Sequence, residues 1–221
     1  MNPEEPIDLA GVKLHRHWHV CAFFHTQNQE DKVVIPFMKQ GIDQGEKSFC
    51  VLNSEKHLHF LQELTGAGVE VRSAEKSGQL ELRKWEETYV REGRFDQEAM
   101  LQLVEEIFVQ GREQGFAHTR CVAHMEWAMT YSVGTKELLE YEARLNHLIQ
   151  RYPDPVLCVY DLAKFNAGVM MDVLRTHPMV IIGGLVAENP FYVPPEVFLE
   201  ELRERDEYVL GEGVRLDAHR H

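Results

Sequence analysis

Basic residues are scarce in this chain: Lys and Arg number 23 against 36 Asp and Glu, a net charge of −13 over 221 residues. That sign opposes the long-range attraction on which nucleic-acid binding depends, so no direct nucleic-acid contact is expected. No CxxC pair occurs, which excludes a zinc ribbon and a thioredoxin-type motif. Neither GxGxxG nor GxSxG occurs, which removes the dinucleotide fingerprint and the nucleophile elbow. No apolar run approaches the roughly 20 residues that cross a bilayer. The acidic start, MNPEEPIDL, lacks the basic segment of a signal peptide. The expectation is a cytoplasmic protein without membrane association. No linker rich in Pro, Gly or Ser divides the chain, so one core is expected, with residues 1–15 as a loose lead-in, 16–205 as the domain and 206–221 as a polar tail.

What is present is concentrated at Lys13 to Asn28, KLHRHWHVCAFFHTQN. In an extended chain His15, His17, His19 and Cys21 face one side, while Trp18, Val20, Ala22 and Phe24 face the other. A strand is expected at 17–24, then a helix at 30–44 capped by Asn28 and bent near Pro36. Short apolar strands follow at 46–53, 69–71 and, from weaker alternation, 79–85. Others are expected from His118 and at 156–162. Between them lie amphipathic helices: one capped by Ser54, one capped by Asp96, one at 134–152 and one near 166–176, with a last helix after Pro194 and Pro195. This alternation predicts an α/β fold, a mostly parallel sheet flanked by helices. Ligands in such sheets bind beyond the carboxyl ends of the strands, which directs attention to 24–28, 124–130 and 160–165.

At the first of these positions a nucleotide-binding protein would carry a phosphate loop. Here the loop is FFHTQNQEDK, with no glycine and no Lys-Ser or Lys-Thr ending, so the usual ATP hydrolysis is not expected. The HxHxHxC row allows a transition metal on His19 and Cys21, with His124 as a third ligand. Against this, side chains two apart on a strand are separated by about 7 Å. His15 and His17 fit solvent at the strand's start. A Cys21 nucleophile with His19 as base is the enzymatic reading, and the spacing does not assure their contact. His124, Glu126 and Trp127 form a second polar and aromatic cluster. Asp161, after Tyr160, is placed either at a site or as a helix cap. The other cysteines, Cys50, Cys121 and Cys158, read as small buried hydrophobes.

Taken in order, HVCAFF, GIDQGEKSFCVLN, EETYVREGRFD, HMEWAM, LLEYEARLN, CVYDLAKF and the stretch from Asp172 to Phe198 resemble the MEDS domain, the sensory domain named for methanogens, methylotrophs and the dichloromethane-response regulator. The resemblance runs from about residue 16 to 203. It implies a fold like that of RecA and the circadian-clock ATPase KaiC, without the Walker A loop. It also implies sensing of a small hydrocarbon derivative, with His19 and Cys21 as ligand contacts. The family segment commonly written GEMSWA stands here as Ala123 to Ala128, AHMEWA, which puts His124 in place of a carboxylate.

The resulting expectation is a stand-alone sensory domain with no catalytic residue. Its ligand would lie among His19, Cys21, Phe23, Phe24, His124, Glu126, Trp127, Tyr160 and Asp161. It would signal in trans to a histidine kinase or transcription regulator, and a homo-oligomer is compatible with this. No cofactor is required. A metal or haem sensor using His19, Cys21 and His124, a thiol-dependent enzyme built on Cys21, and a ligand-free scaffold descended from an ATPase are the alternatives.

Overall fold

Two periodicities, two residues in the strands and between three and four in the helices, sort the apolar side chains onto the two faces of one sheet. The computed structural model describes residues 7–14, 19–88, 90–91 and 94–205. The chain begins with a hairpin of β1 (Ile7–Leu9) and β2 (Val12–Leu14), then β3 (His19–Phe24), α1 (Gln27–Asp43), β4 (Lys47–Leu52), α2 (Ser54–Gly66), α3 (Val71–Lys76) and β5 (Leu80–Lys84). Next come α4 (Trp85–Thr88), β6 (Val90–Arg91), β7 (Arg94–Phe95), α5 (Gln97–Glu113), β8 (Thr119–His124), α6 (Trp127–Thr130) and α7 (Thr135–Arg151). The last elements are β9 (Val156–Asp161), α8 (Ala167–Thr176), β10 (Met179–Ile182), β11 (Leu185–Glu188) and a helix, α9, at 195–205.

The main sheet has the order β11-β10-β3-β9-β8-β4-β5. All pairings are parallel except that of β11 with β10. Cys21, Phe23, Ala123, Cys158 and Tyr160 face one side, where α5, α7, α8 and α9 cover them. Val20, Ala22, Phe24, Val122 and Val159 face the other, under α1 and α2. The α/β class expected from the sequence is the observed one. β4 continues into α2 on the second face, whereas its neighbour β8 continues toward α7 on the first. The sheet's connections therefore diverge between β4 and β8, a place where such folds open a crevice.

Local expectations change in four places. Thr26, not Asn28, caps α1 by accepting from the Gln29 amide, so the helix starts earlier. Asn53, not Ser54, caps α2. Val69–Val71 is not a strand: the Val69 amide closes onto the Leu64 carbonyl, and Val71 opens α3. Residues 7–14, read as part of a loose lead-in, form a hairpin that buries Ile7, Leu9 and Leu14 on the second face. His15, His17 and Trp18 lie outside the described residues.

Candidate functional site

β3 lies between β10 and β9, and its first residue, His19, is buried. Four side chains from four elements meet on the first face: His19 from β3, Glu142 from α7, Cys158 from β9, and His177 directly after α8. His19 Nε2 lies 3.2 Å from Glu142 Oε2 and 3.5 Å from Cys158 Sγ. Cys158 Sγ lies 3.6 Å from Glu142 Oε2, and His177 Nε2 3.4 Å from it. The two imidazole rings are tilted against each other with centroids 4.0 Å apart.

Hydrogen bonds around the cluster fix its proton positions. The Asn146 amide nitrogen donates to three carbonyls, of Glu142, Ala143 and Thr176, so its Oδ1 is an acceptor. His19 Nδ1, 3.0 Å away, therefore carries the proton that it donates to Oδ1, and Nε2 faces Glu142. By the same reasoning His177 Nδ1 donates to the Val173 carbonyl at 2.8 Å, which turns its Nε2 toward Glu142 Oε2. Among the described residues that buried nitrogen makes no hydrogen bond, its contact with Glu142 being the 3.4 Å approach. The Tyr160 hydroxyl donates to Glu142 Oε1 and turns the other carboxylate oxygen toward the two histidines.

Burial and the neighbouring His177 hold the His19 imidazole down at about 4, against the hydrogen bonds and charge that would raise it. Burial alone would raise the Glu142 carboxyl, yet His177 and His19 keep it below the usual carboxylate range. Burial, and then Glu142, push the thiols of Cys21 and Cys158 and the phenol of Tyr160 well up. Thiols so placed are protonated and poorly nucleophilic at neutral pH.

A second cluster stands at the carboxyl edge, between β4 and β8. His124 ends β8, its Nδ1 3.1 Å from the Val51 carbonyl and its Nε2 2.8 Å from Glu30 Oε1. Lys56 at the start of α2 bridges Glu30 at 2.9 Å and Glu126 at 3.2 Å. Burial pushes Glu30 up, but His124 and Lys56 outweigh it and hold the carboxyl at about 2. Only His25 and Thr26 connect β3 to α1, too short a link to wrap a phosphate, and Glu30 brings a carboxylate into the helix's first turn.

The structure therefore divides the residues expected from sequence. His19, Cys21, Phe23 and Tyr160 share the first face, with Cys21 opposite Cys158 in register. Cys21 Sγ points to the Met179 carbonyl at 3.6 Å. Trp127 packs against Phe95 on the same face, away from His19. Phe24 belongs to the second face. His124 also faces that side, toward Glu30 of α1, so His19, Cys21 and His124 do not converge on one ion. Glu126 joins Lys56, and Asp161 accepts from the Ala163 amide within its own turn. Glu142, Asn146 and His177 were missed. A signal for the first two existed in LLEYEARLN, where Glu142 and Asn146 interrupt the inward stripe of Leu138, Leu139, Leu145 and Ile149. A cavity of about 660 Å³ lies elsewhere, between α1 and the two hairpins, lined by Asp8, Gln29, Val33, Phe37 and Gly183 among others.

Comparison with known proteins adds two kinds of likeness. Two structures from Pyrococcus horikoshii share the fold at 13% sequence identity. The KaiC-like protein PH0186 has a TM-score of 0.52, covering 73% of this chain and 68% of that one. The uncharacterized protein PH0321, solved with an unknown peptide, has a TM-score of 0.57, covering 77% and 78%. The transcriptional repressor DcmR of Methylorubrum extorquens is 28% identical over 170 residues, which take in 76% of this chain and 61% of the repressor. Among the described residues no helix is long and apolar enough to cross a membrane. The model of the MEthanogen/methylotroph, DcmR Sensory domain matches residues 18–178, and the chain belongs to that family.

Proposed function

We propose that this chain is a sensory module of prokaryotic signal transduction, not an enzyme. It binds a small hydrocarbon derivative, or a molecule of similar size, beside His19 and Cys21, and signals in trans to a histidine kinase or transcription regulator. The observation that carries this reading is the buried polar cluster on the first face. Interior polar groups are costly, a strand ladder does not need them, and perturbed titratable groups gather where a protein acts. Phe23, Tyr160 and Phe165 stack beside the cluster, with centroids 5.8 and 5.2 Å apart, and supply apolar contact for a small organic molecule. The protonated thiols favour recognition over nucleophilic chemistry, and the likeness to a repressor favours a regulatory output.

The test is a sealed-cell thermal melt with short halogenated and hydroxylated hydrocarbons, on wild type and on the paired variant His19→Ala, Cys21→Ala. A ligand at 100 times its Kd adds about 2.7 kcal/mol. In a chain of this length that raises Tm by about 5–10 °C. The variant is expected to fold and to lose the shift; equal affinity in both proteins sinks the reading.

A further inference from the structure

We infer that His19, Glu142, Cys158 and His177 form a binding site for a single divalent transition metal of the zinc class. The inference goes beyond the sensory reading and uses only the geometry of these four residues. His19 Nε2, His177 Nε2 and Glu142 Oε2 point toward one place, and the Cys158 sulfur completes the set. Four possible metal ligands crowd within 4.8 Å of one another in a dry interior, and an ion there would engage the His177 Nε2 that lacks a hydrogen-bond partner among the described residues.

The spacing suits a tetrahedral metal. Zinc bonds of about 2.0–2.1 Å to nitrogen and oxygen and about 2.3 Å to sulfur place neighbouring donors of a tetrahedron about 3.3–3.6 Å apart. Four of the six edges are 3.2, 3.4, 3.5 and 3.6 Å, and all six lie within 4.8 Å. The surroundings also match those of metal ligands. Both histidines donate their outer nitrogen to an oxygen, and the Tyr160 hydroxyl orients the carboxylate. Two imidazoles, one carboxylate and one thiolate suit zinc and its spectroscopic substitute cobalt(II), and four protein donors close the coordination sphere. On binding, the metal displaces the thiol proton of Cys158 to solvent, with no redox change.

Because the site is buried, the ion is best supplied during folding. Untagged full-length protein, unfolded and stripped with a chelator, is refolded with cobalt(II) and no organic compound, then dialysed. The expected result is one cobalt per chain with the intense visible bands of tetrahedral cobalt and a near-ultraviolet thiolate-to-cobalt band. Cys158→Ala is expected to abolish the thiolate band, and His177→Gln with Cys158→Ala to weaken retention by about 100-fold or more. Cys158→Ala alone, a small change in a packed interior, serves if the double variant does not fold. No retained metal, a weak six-coordinate spectrum, or a thiolate band that survives Cys158→Ala would overturn the inference. The chain has 12 histidines, so metal bound equally by the double variant would lie elsewhere and also overturn it. Failure here leaves the hydrocarbon reading intact, since the two assays share no ligand.

Discussion

Glu142 is held as a carboxylate in the interior by its neighbours, and Tyr160 supplies a hydroxyl donor. Removing that hydroxyl while keeping the ring takes away its hydrogen bond to Oε1 and leaves the packing against Phe23 and Phe165 in place. Tyr160→Phe is therefore expected to lower the unfolding free energy in urea by about 1.5–3 kcal/mol, the range for a hydrogen bond to a charged group. A loss under about 0.5 kcal/mol would mean that Glu142 is satisfied without it. At this scale the sequence reveals only part of the site. His19 stands out because alternation puts it with Cys21 on one side of a strand. Cys158 looks like filler, and His177 sits before a proline in a segment whose contacts are settled only when α8 folds back over β3. Side chains 16 to 158 residues apart meet through topology, which local spacing does not encode.

Helix α1 shows how an element is seated on the sheet. Arg120 of β8 is fully buried, pairs with Glu46 at 2.5 Å and donates to the Phe37 carbonyl and to Gln40 and Gln44. The chain can pass this close because position 41 is glycine. A Cβ there would lie 2.7 Å from Arg120 Cδ, 2.9 Å from its Nε and 3.0 Å from Ser48 Oγ. Arg120 is anchored at several points and cannot yield cheaply, so overpacking at about 1–3 kcal/mol outweighs the roughly 0.5–1 kcal/mol that alanine gains over glycine in a helix. Gly41→Ala is expected to lower Tm. Gly66→Ala, at the end of α2 with open space around it, is expected to leave Tm unchanged or raise it slightly. A Tm raised by both substitutions would show that Arg120 is free to move. The helices and most strands were legible because their apolar periods are clean. The run at 69–71 misled because three residues carry no period, and the hairpin at 7–14 was hidden by the prolines and acids before it.

For the whole molecule, pH is the variable that both polar clusters read in the same direction. In the metal-free protein His19 falls from 6.5 to about 4 on folding, and Glu30 from 4.5 to about 2. Each group binds fewer protons folded than unfolded. Its stabilisation is complete above the unfolded value and is lost as pH falls toward the folded one. The two windows follow in sequence, His19 between 6.5 and about 4, then Glu30 between 4.5 and about 2. Each shift corresponds to about 3 kcal/mol at full extent. Urea unfolding followed from pH 8 to pH 3 is expected to be nearly flat above pH 7 and to decline from about pH 6.5, ahead of any carboxylate. His19→Gln should remove this early decline and keep the later one, because Glu30 stands on the opposite face with His124 and Lys56. A profile flat to pH 5 in the wild type would mean that folding leaves His19 near 6.5, and one that gains stability from pH 8 to 6.5 would mean that His19 is already protonated at neutral pH. Its Nε2 would then donate to Glu142, and the cluster would be an ion pair with its cation already in place.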